Sequence, residues 1–135
     1  MAIKYTRSFS PTKPTSHLGG LKTVTAKTSD YTVTAVESGT IFTTEGAGGA
    51  VNFTLPSQGA GLHYWFTNAE DQNMTITSDT ADTMITFNDV AADSVAFSTS
   101  SEKVGGAAFV FSDGSKWMVQ LMTYDGADQA VTVAT

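Results

Sequence analysis

The chain reads as all-β: an antiparallel β-sandwich or barrel, jelly-roll-like, with an extended N-terminal arm. Three observations predict this. Short apolar runs with period-two alternation recur about every 8 to 12 residues with no helical interlude, the spacing of a sandwich or barrel. The composition favours Thr, Ser, Gly, Val and Phe over helix formers. Residues 1–20 hold Pro11, Pro14 and the Gly19-Gly20 pair, with Ile3, Tyr5, Phe9 and Leu18 only sparsely placed, and such a segment builds no core alone. Residues 1–20 are therefore the arm and residues 21–135 one β-domain, since 135 residues suffice for one substantial core.

After the arm, LKTVTAKT and YTVTAVESG read as strands, the second with Tyr31, Val33 and Ala35 alternating with threonines. Ser38-Gly39 turns the chain into a strand over 40–44. Val51, Phe53 and Leu55 then alternate with Asn52 and Thr54 until Pro56, with Gly46, Gly48 and Gly49 before them and Gly59 and Gly61 after. Residues 38–66 are thus predicted to form a β-meander. Its last strand alternates Leu62, Tyr64 and Phe66 with His63 and Trp65. Large side chains on both faces predict cover on both sides, by a second sheet or a partner subunit.

Residues 68–72 read as a polar turn, 73–77 and 83–87 as short strands, and 88–93 as a second polar connection. Val95 and Phe97 mark another strand. Two apolar runs flanking Asp113-Gly114 give the strongest hairpin signal, placed near the sheet centre. Phe109, Phe111, Trp117, Val119 and Leu121 are expected to supply much of the core, because aromatic side chains bury the most area. Gly105-Gly106 marks a bulge or a close backbone approach. The closing AVTVAT is a final short strand or an edge-pairing tail.

The formal charge of −6 divides unevenly. Residues 1–27 carry Lys4, Arg7, Lys13, Lys22 and Lys27 and no acid; the rest carries Lys103 and Lys116 against thirteen acids, so +5 and −11 make the total. Such a basic arm either rides on its own domain or docks on a neighbour, with Ile3, Tyr5 and Phe9 as apolar anchors and Lys4 and Arg7 pairing with acids. Nucleic acid is not the expected partner, because the acidic body opposes it. The N-terminus lacks the apolar core of a signal peptide, and no apolar run approaches the roughly 20 residues of a membrane span, so the protein is expected to be made and used without crossing a membrane.

No constellation predicts catalysis, a cofactor or a metal. Zero cysteines remove disulfides and thiolate ligands. His17 and His63 have no partners at triad or zinc spacing. The GAGGA run is followed by no Gly-Lys-Ser/Thr and by a strand, so it reads as a hairpin loop. Asp79, Asp82, Asp89 and Asp93 fit no calcium loop and read as solvated.

SGTIFTTEGAGGAVNFTLP, GLHYWF, NMTITSDTADTMITF and GGAAFVFSDGSKWMV, in that order, resemble a β-module of tailed-bacteriophage structural proteins. The likeness covers roughly Tyr31 to Met122. Such modules occur in head decoration (cement) proteins and in tail-fibre or other virion surface proteins, and are non-enzymatic. Here the module is nearly the whole chain, which favours a small decoration protein over a fibre segment. The resemblance thus implies a viral structural protein of the virion, assembled in the bacterial cytoplasm and bound to the major capsid protein, stabilising the shell by bridging capsomers. It also implies a homotrimer. The alternative is a module binding a host receptor or glycan, which would put aromatics such as Tyr64, Trp65 or Tyr124 in exposed loops.

Overall fold

The computed structural model describes residues 23–100, 103–122 and 131–135. The arm with Ile3, Lys4, Tyr5, Arg7 and Phe9, together with His17 and Tyr124, lies outside the described residues. Twelve strands form two packed sheets: β1 (Thr23–Ala26), β2 (Tyr31–Thr32), β3 (Thr40–Thr43), β4 (Val51–Thr54), β5 (His63–Thr67), β6 (Met74–Thr77), β7 (Met84–Thr86), β8 (Asp89–Ala92), β9 (Ser94–Phe97), β10 (Ala107–Ser112), β11 (Trp117–Met122) and β12 (Val131–Ala134). Sheet A has the order β1-β3-β5-β10-β11-β7-β8, and sheet B has the order β12-β9-β6-β4-β2. The fold is an all-β sandwich, as the alternation predicts.

Strand direction departs from the expectation. Half of the ladders are parallel, and a jelly-roll arrangement of antiparallel Greek keys is not what forms. The cause lies in the connections. The first six strands alternate between the sheets, so β1, β3 and β5 lie side by side in sheet A and β2, β4 and β6 lie side by side in sheet B. A parallel neighbour ordinarily needs a crossover of a dozen or more residues. Here the intervening strand of the opposite sheet is that crossover. Residues 38–66 are therefore no meander: the Gly46-to-Gly49 loop carries the chain across the roughly 10 Å between sheets rather than turning it back within one. Only later do hairpins appear, at β7–β8 and β10–β11.

Burial follows the pleat. β4 and β6 read buried, half-buried, buried, half-buried, and β5 the reverse. One core cluster takes Phe42, Tyr64, Phe66, Val110 and Trp117 from sheet A and Val51, Phe53, Ile76, Val95 and Phe97 from sheet B. Phe53 bridges the layers, with ring centroids 5.6 Å from Phe42 and 5.0 Å from Phe66. Gly106 provides the close approach foreseen for the glycine pair: a Cβ there would sit 2.3 Å from the Phe97 ring. At the same end Asn68 is fully buried and ties three loops, its Nδ2 donating to the carbonyls of Gln72 and Lys103 and its Oδ1 accepting from Thr44 Oγ1 at 2.6 Å.

Two further segments differ from expectation. Residues 31–35 give only a two-residue β2, because Glu37 accepts bonds from the amide and hydroxyl of Thr34 and closes a 3-10 turn over Ala35–Glu37. Residues 88–93 hold strand β8 rather than a polar connection, paired antiparallel with β7.

Candidate interaction surface

Alternation decides what the outside of sheet A presents. The ladders align its outward residues in three rows across the strands. One is Val24, Ile41, Trp65, Phe109 and Gln120. The next is His63, Phe111, Met118 and Ile85. The third is Ala26, Thr43, Thr67, Ala107 and Met122. None of these side chains is charged. At the centre the aromatic rings touch: Trp65 lies 5.3 Å from Phe109 between centroids, and Phe109 lies 5.8 Å from Phe111 and 6.3 Å from His63.

This overturns the expectation that Phe109 and Phe111 fill the core. Residues opposite each other across an antiparallel pair share a face, and Trp117 lies opposite Ser112 while Val119 lies opposite Val110. With Trp117 and Val119 buried, Ser112, Val110 and Ala108 must point inward and the two phenylalanines outward. Leu121 packs half-buried against the core, as foreseen. The Asp113-Gly114 hairpin itself is present, with Gly114 at φ 103° and the Asp113 carboxylate accepting from the amides of Ser115 and Lys116. Those bonds, Lys116 first, hold the Asp113 carboxyl below its ordinary range.

Among the described residues, exposed large apolar side chains on strands are confined to this sheet, while Val36 (84% exposed) and Val104 lie in connections. Val24 (63% exposed), Phe111 and Met122 lie on strands of sheet A, Val90 on β8, and Phe87 (73%) in the β7–β8 turn, whereas no strand of sheet B carries one among the described residues. Phe87 also has φ 46°, a left-handed conformation that costs a phenylalanine about 1–2 kcal/mol.

Several polar side chains hold local hydrogen bonds. His63 Nδ1 donates to the Gly61 carbonyl at 3.0 Å and lies 3.5 Å from Ser38 Oγ, while its Nε2 is buried without a hydrogen-bond partner. Asp79 accepts from Ser57 Oγ and Gln58 Nε2, Asp93 from the amide of Asp82, and Asp89 from that of Ala91. Among the described residues no group of three or more such side chains is placed to hold a metal ion. Tyr64 is buried with its hydroxyl donating to the Thr34 carbonyl, and burial, aided by the Glu37 charge, pushes its phenol up to about 12. Glu37 itself sits below its ordinary range: burial raises it, but bonds from Tyr31 and Thr34 outweigh that.

No protein-family model matches the chain, and no curated protein matches it either.

Proposed function

We propose that the chain is a non-enzymatic structural protein of a tailed-bacteriophage virion: a head decoration (cement) protein that binds the outer capsid surface through the major capsid protein and stabilises the shell by bridging capsomers. The observation that carries this reading is the outer face of sheet A. A broad, uncharged surface centred on Trp65, Phe109 and Phe111, held on a stiff sandwich, has the composition of the buried centre of a protein–protein contact, where aromatics are enriched and charges depleted. The resemblance adds the virion and the three-copy assembly. On this reading Ile3, Lys4, Tyr5, Arg7 and Phe9 dock the arm on capsid or neighbour.

A receptor- or glycan-binding tail module is the second reading. The outward-facing, half-buried Trp65–Phe109 pair favours it, since flat rings stack on sugar faces. Against it, His63 and Gln120 are the only polar side chains in the two aromatic rows, too few to fix a sugar's hydroxyls. Adding the purified protein to capsids that lack it distinguishes the two. Saturable co-sedimentation and a higher temperature of DNA release are expected, with attachment weakened on deleting residues 1–18. Retention on host cells without capsid binding would overturn the decoration reading in favour of the tail module.

A further inference from the structure

We infer that the outer face of sheet A is where copies of this chain meet: its occupant is the same face, or its flank, on a second copy. The inference deepens the assembly reading above by naming the partner of that surface.

Electrostatics permits a contact at this face. The chain beyond residue 27 carries a net charge of −11, so two copies repel over most approaches. The three rows on sheet A hold no carboxylate and no cation, and copies meeting there desolvate no charge and need no complementary one. A partner recognised by charge would leave its mark as a basic or acidic stripe, and the face has neither.

Area is sufficient. Each outward residue of a sheet occupies about 4.8 Å by 6.8 Å, so the fourteen positions of the three rows (5 + 4 + 5) project over roughly 450 Å². Two such faces bury about 900 Å² before side-chain relief is added, close to the roughly 1,000 Å² at which specific contacts begin. Trp65 and Phe109 at the centre are the residue types that carry such contacts.

The other face excludes itself. Sheet B also lacks outward charge, but its rows are Thr32, Thr54, Thr77, Ser94 and Ala134, then Asn52, Thr75, Ala96 and Thr132. Thr77 Oγ1 already donates to Asn52 Oδ1 at 2.7 Å, and the remaining hydroxyls are suited to water.

Sedimentation velocity on the full chain from about 1 to 100 μM tests this, with Trp65→Thr, Phe109→Thr and, on the opposite face, Thr75→Asp, each first shown to melt like the parent. The parent is expected to self-associate, little changed by added salt because the contact is apolar. Trp65→Thr and Phe109→Thr should each weaken association by about tenfold or more, Trp65→Phe should restore most of it, and Thr75→Asp should leave it unchanged. A parent that stays monomeric, or an association indifferent to Trp65 and Phe109, overturns the inference. Monomers that bind capsids through Trp65 and Phe109 also overturn it, giving the face to the shell while the decoration reading stands. Association through the face without any capsid binding has the opposite effect: the inference holds and the decoration reading fails.

Discussion

On the outside of sheet A, neighbouring strands set Trp65 beside Phe109 and Phe111 beside Met118; on the outside of sheet B the corresponding rows set Thr54 beside Thr77 and Asn52 beside Thr75. Both faces come from the same pleat over the same core. The hydroxyl-rich face is what solvent asks of a sheet, because each Thr or Asn keeps its hydrogen bonds in water or with its neighbour. The aromatic face is not. Apolar area left in water forgoes about 25 cal/mol per Å², and folding gains nothing from placing a second aromatic layer outside one already complete. The difference is one of composition: sheet B turns hydroxyls and amides outward, whereas sheet A turns aromatic and aliphatic side chains outward.

The tryptophans give the largest effects with which to break this comparison. Trp117→Ala should cost about 3–5 kcal/mol in urea unfolding, because the indole is wholly buried. Trp65→Ala, measured on dilute monomer, should cost about 1 kcal/mol or less, since it only trims a half-buried surface side chain. Equal costs would mean that the outer face is already covered within one chain.

The comparison also requires an inner layer with no room for Phe109 or Phe111. Gly106→Ala measures that room, since its Cβ would meet the buried Phe97 ring at 2.3 Å. Overpacking of this kind should destabilise by about 1–3 kcal/mol, read as a lower urea midpoint at unchanged slope. A neutral result would show slack between the sheets.

How much of this was legible in the sequence depends on the range of the interaction. Period two found nearly every strand, because the pleat is local. Large residues on both faces of His63–Thr67 were legible too, and the second sheet covers the face that carries Tyr64 and Phe66. Strand direction was not, because Val51–Thr54 looks the same whether it turns back beside Thr40–Thr43 or crosses to the other sheet. The placement of Phe109 and Phe111 was legible but missed. Any hairpin turning at Asp113-Gly114 with an even loop pairs odd positions with even ones, so Phe111 cannot share a face with Trp117. Choosing core residues by size alone ignored that parity. The buried role of Asn68 had no local signal, since its partners Thr44, Gln72 and Lys103 converge only in the fold.

Adjacent residues of β5 sharpen the contrast through pH. Tyr64, pointing inward, holds its proton up to about 12 against an ordinary 10.0. A phenol raised in the folded state contributes stability that is intact below pH 10 and lost as pH rises toward 12. Tyrosinate absorbance should therefore show Tyr64 lagging until the alkaline transition, with Tyr31 also above its ordinary range through its bond to Glu37, and Tyr64→Phe should remove the later phase. Titration of every tyrosine near pH 10 in folded protein would place Tyr64 in contact with solvent. Glu37 contributes with the opposite sign: its lowered carboxyl supports the fold above about 4.5 and ceases to as pH falls through its folded value.

The smallest expected effect sits at the edge of sheet A. Phe87 is 73% exposed and holds φ at 46°, so it gains little from burial while bearing the cost of a left-handed backbone. Asparagine tolerates that conformation far better, its short polar side chain bonding locally. Phe87→Asn should therefore stabilise the monomer by about 0.5–1 kcal/mol, raising its melting temperature by about 2–4 °C. On the proposed self-association, phenylalanine there forgoes stability for an apolar contact beyond its own fold. The same substitution should accordingly weaken self-association in sedimentation even as it raises the melting temperature, an opposition that surface polishing alone would not produce. If Phe87→Asn lowers the melting temperature, the ring packs within the chain and the edge of sheet A belongs with the solvent-facing half of the molecule. If it raises the temperature and leaves association untouched, the contact is confined to the rows around Trp65 and Phe109.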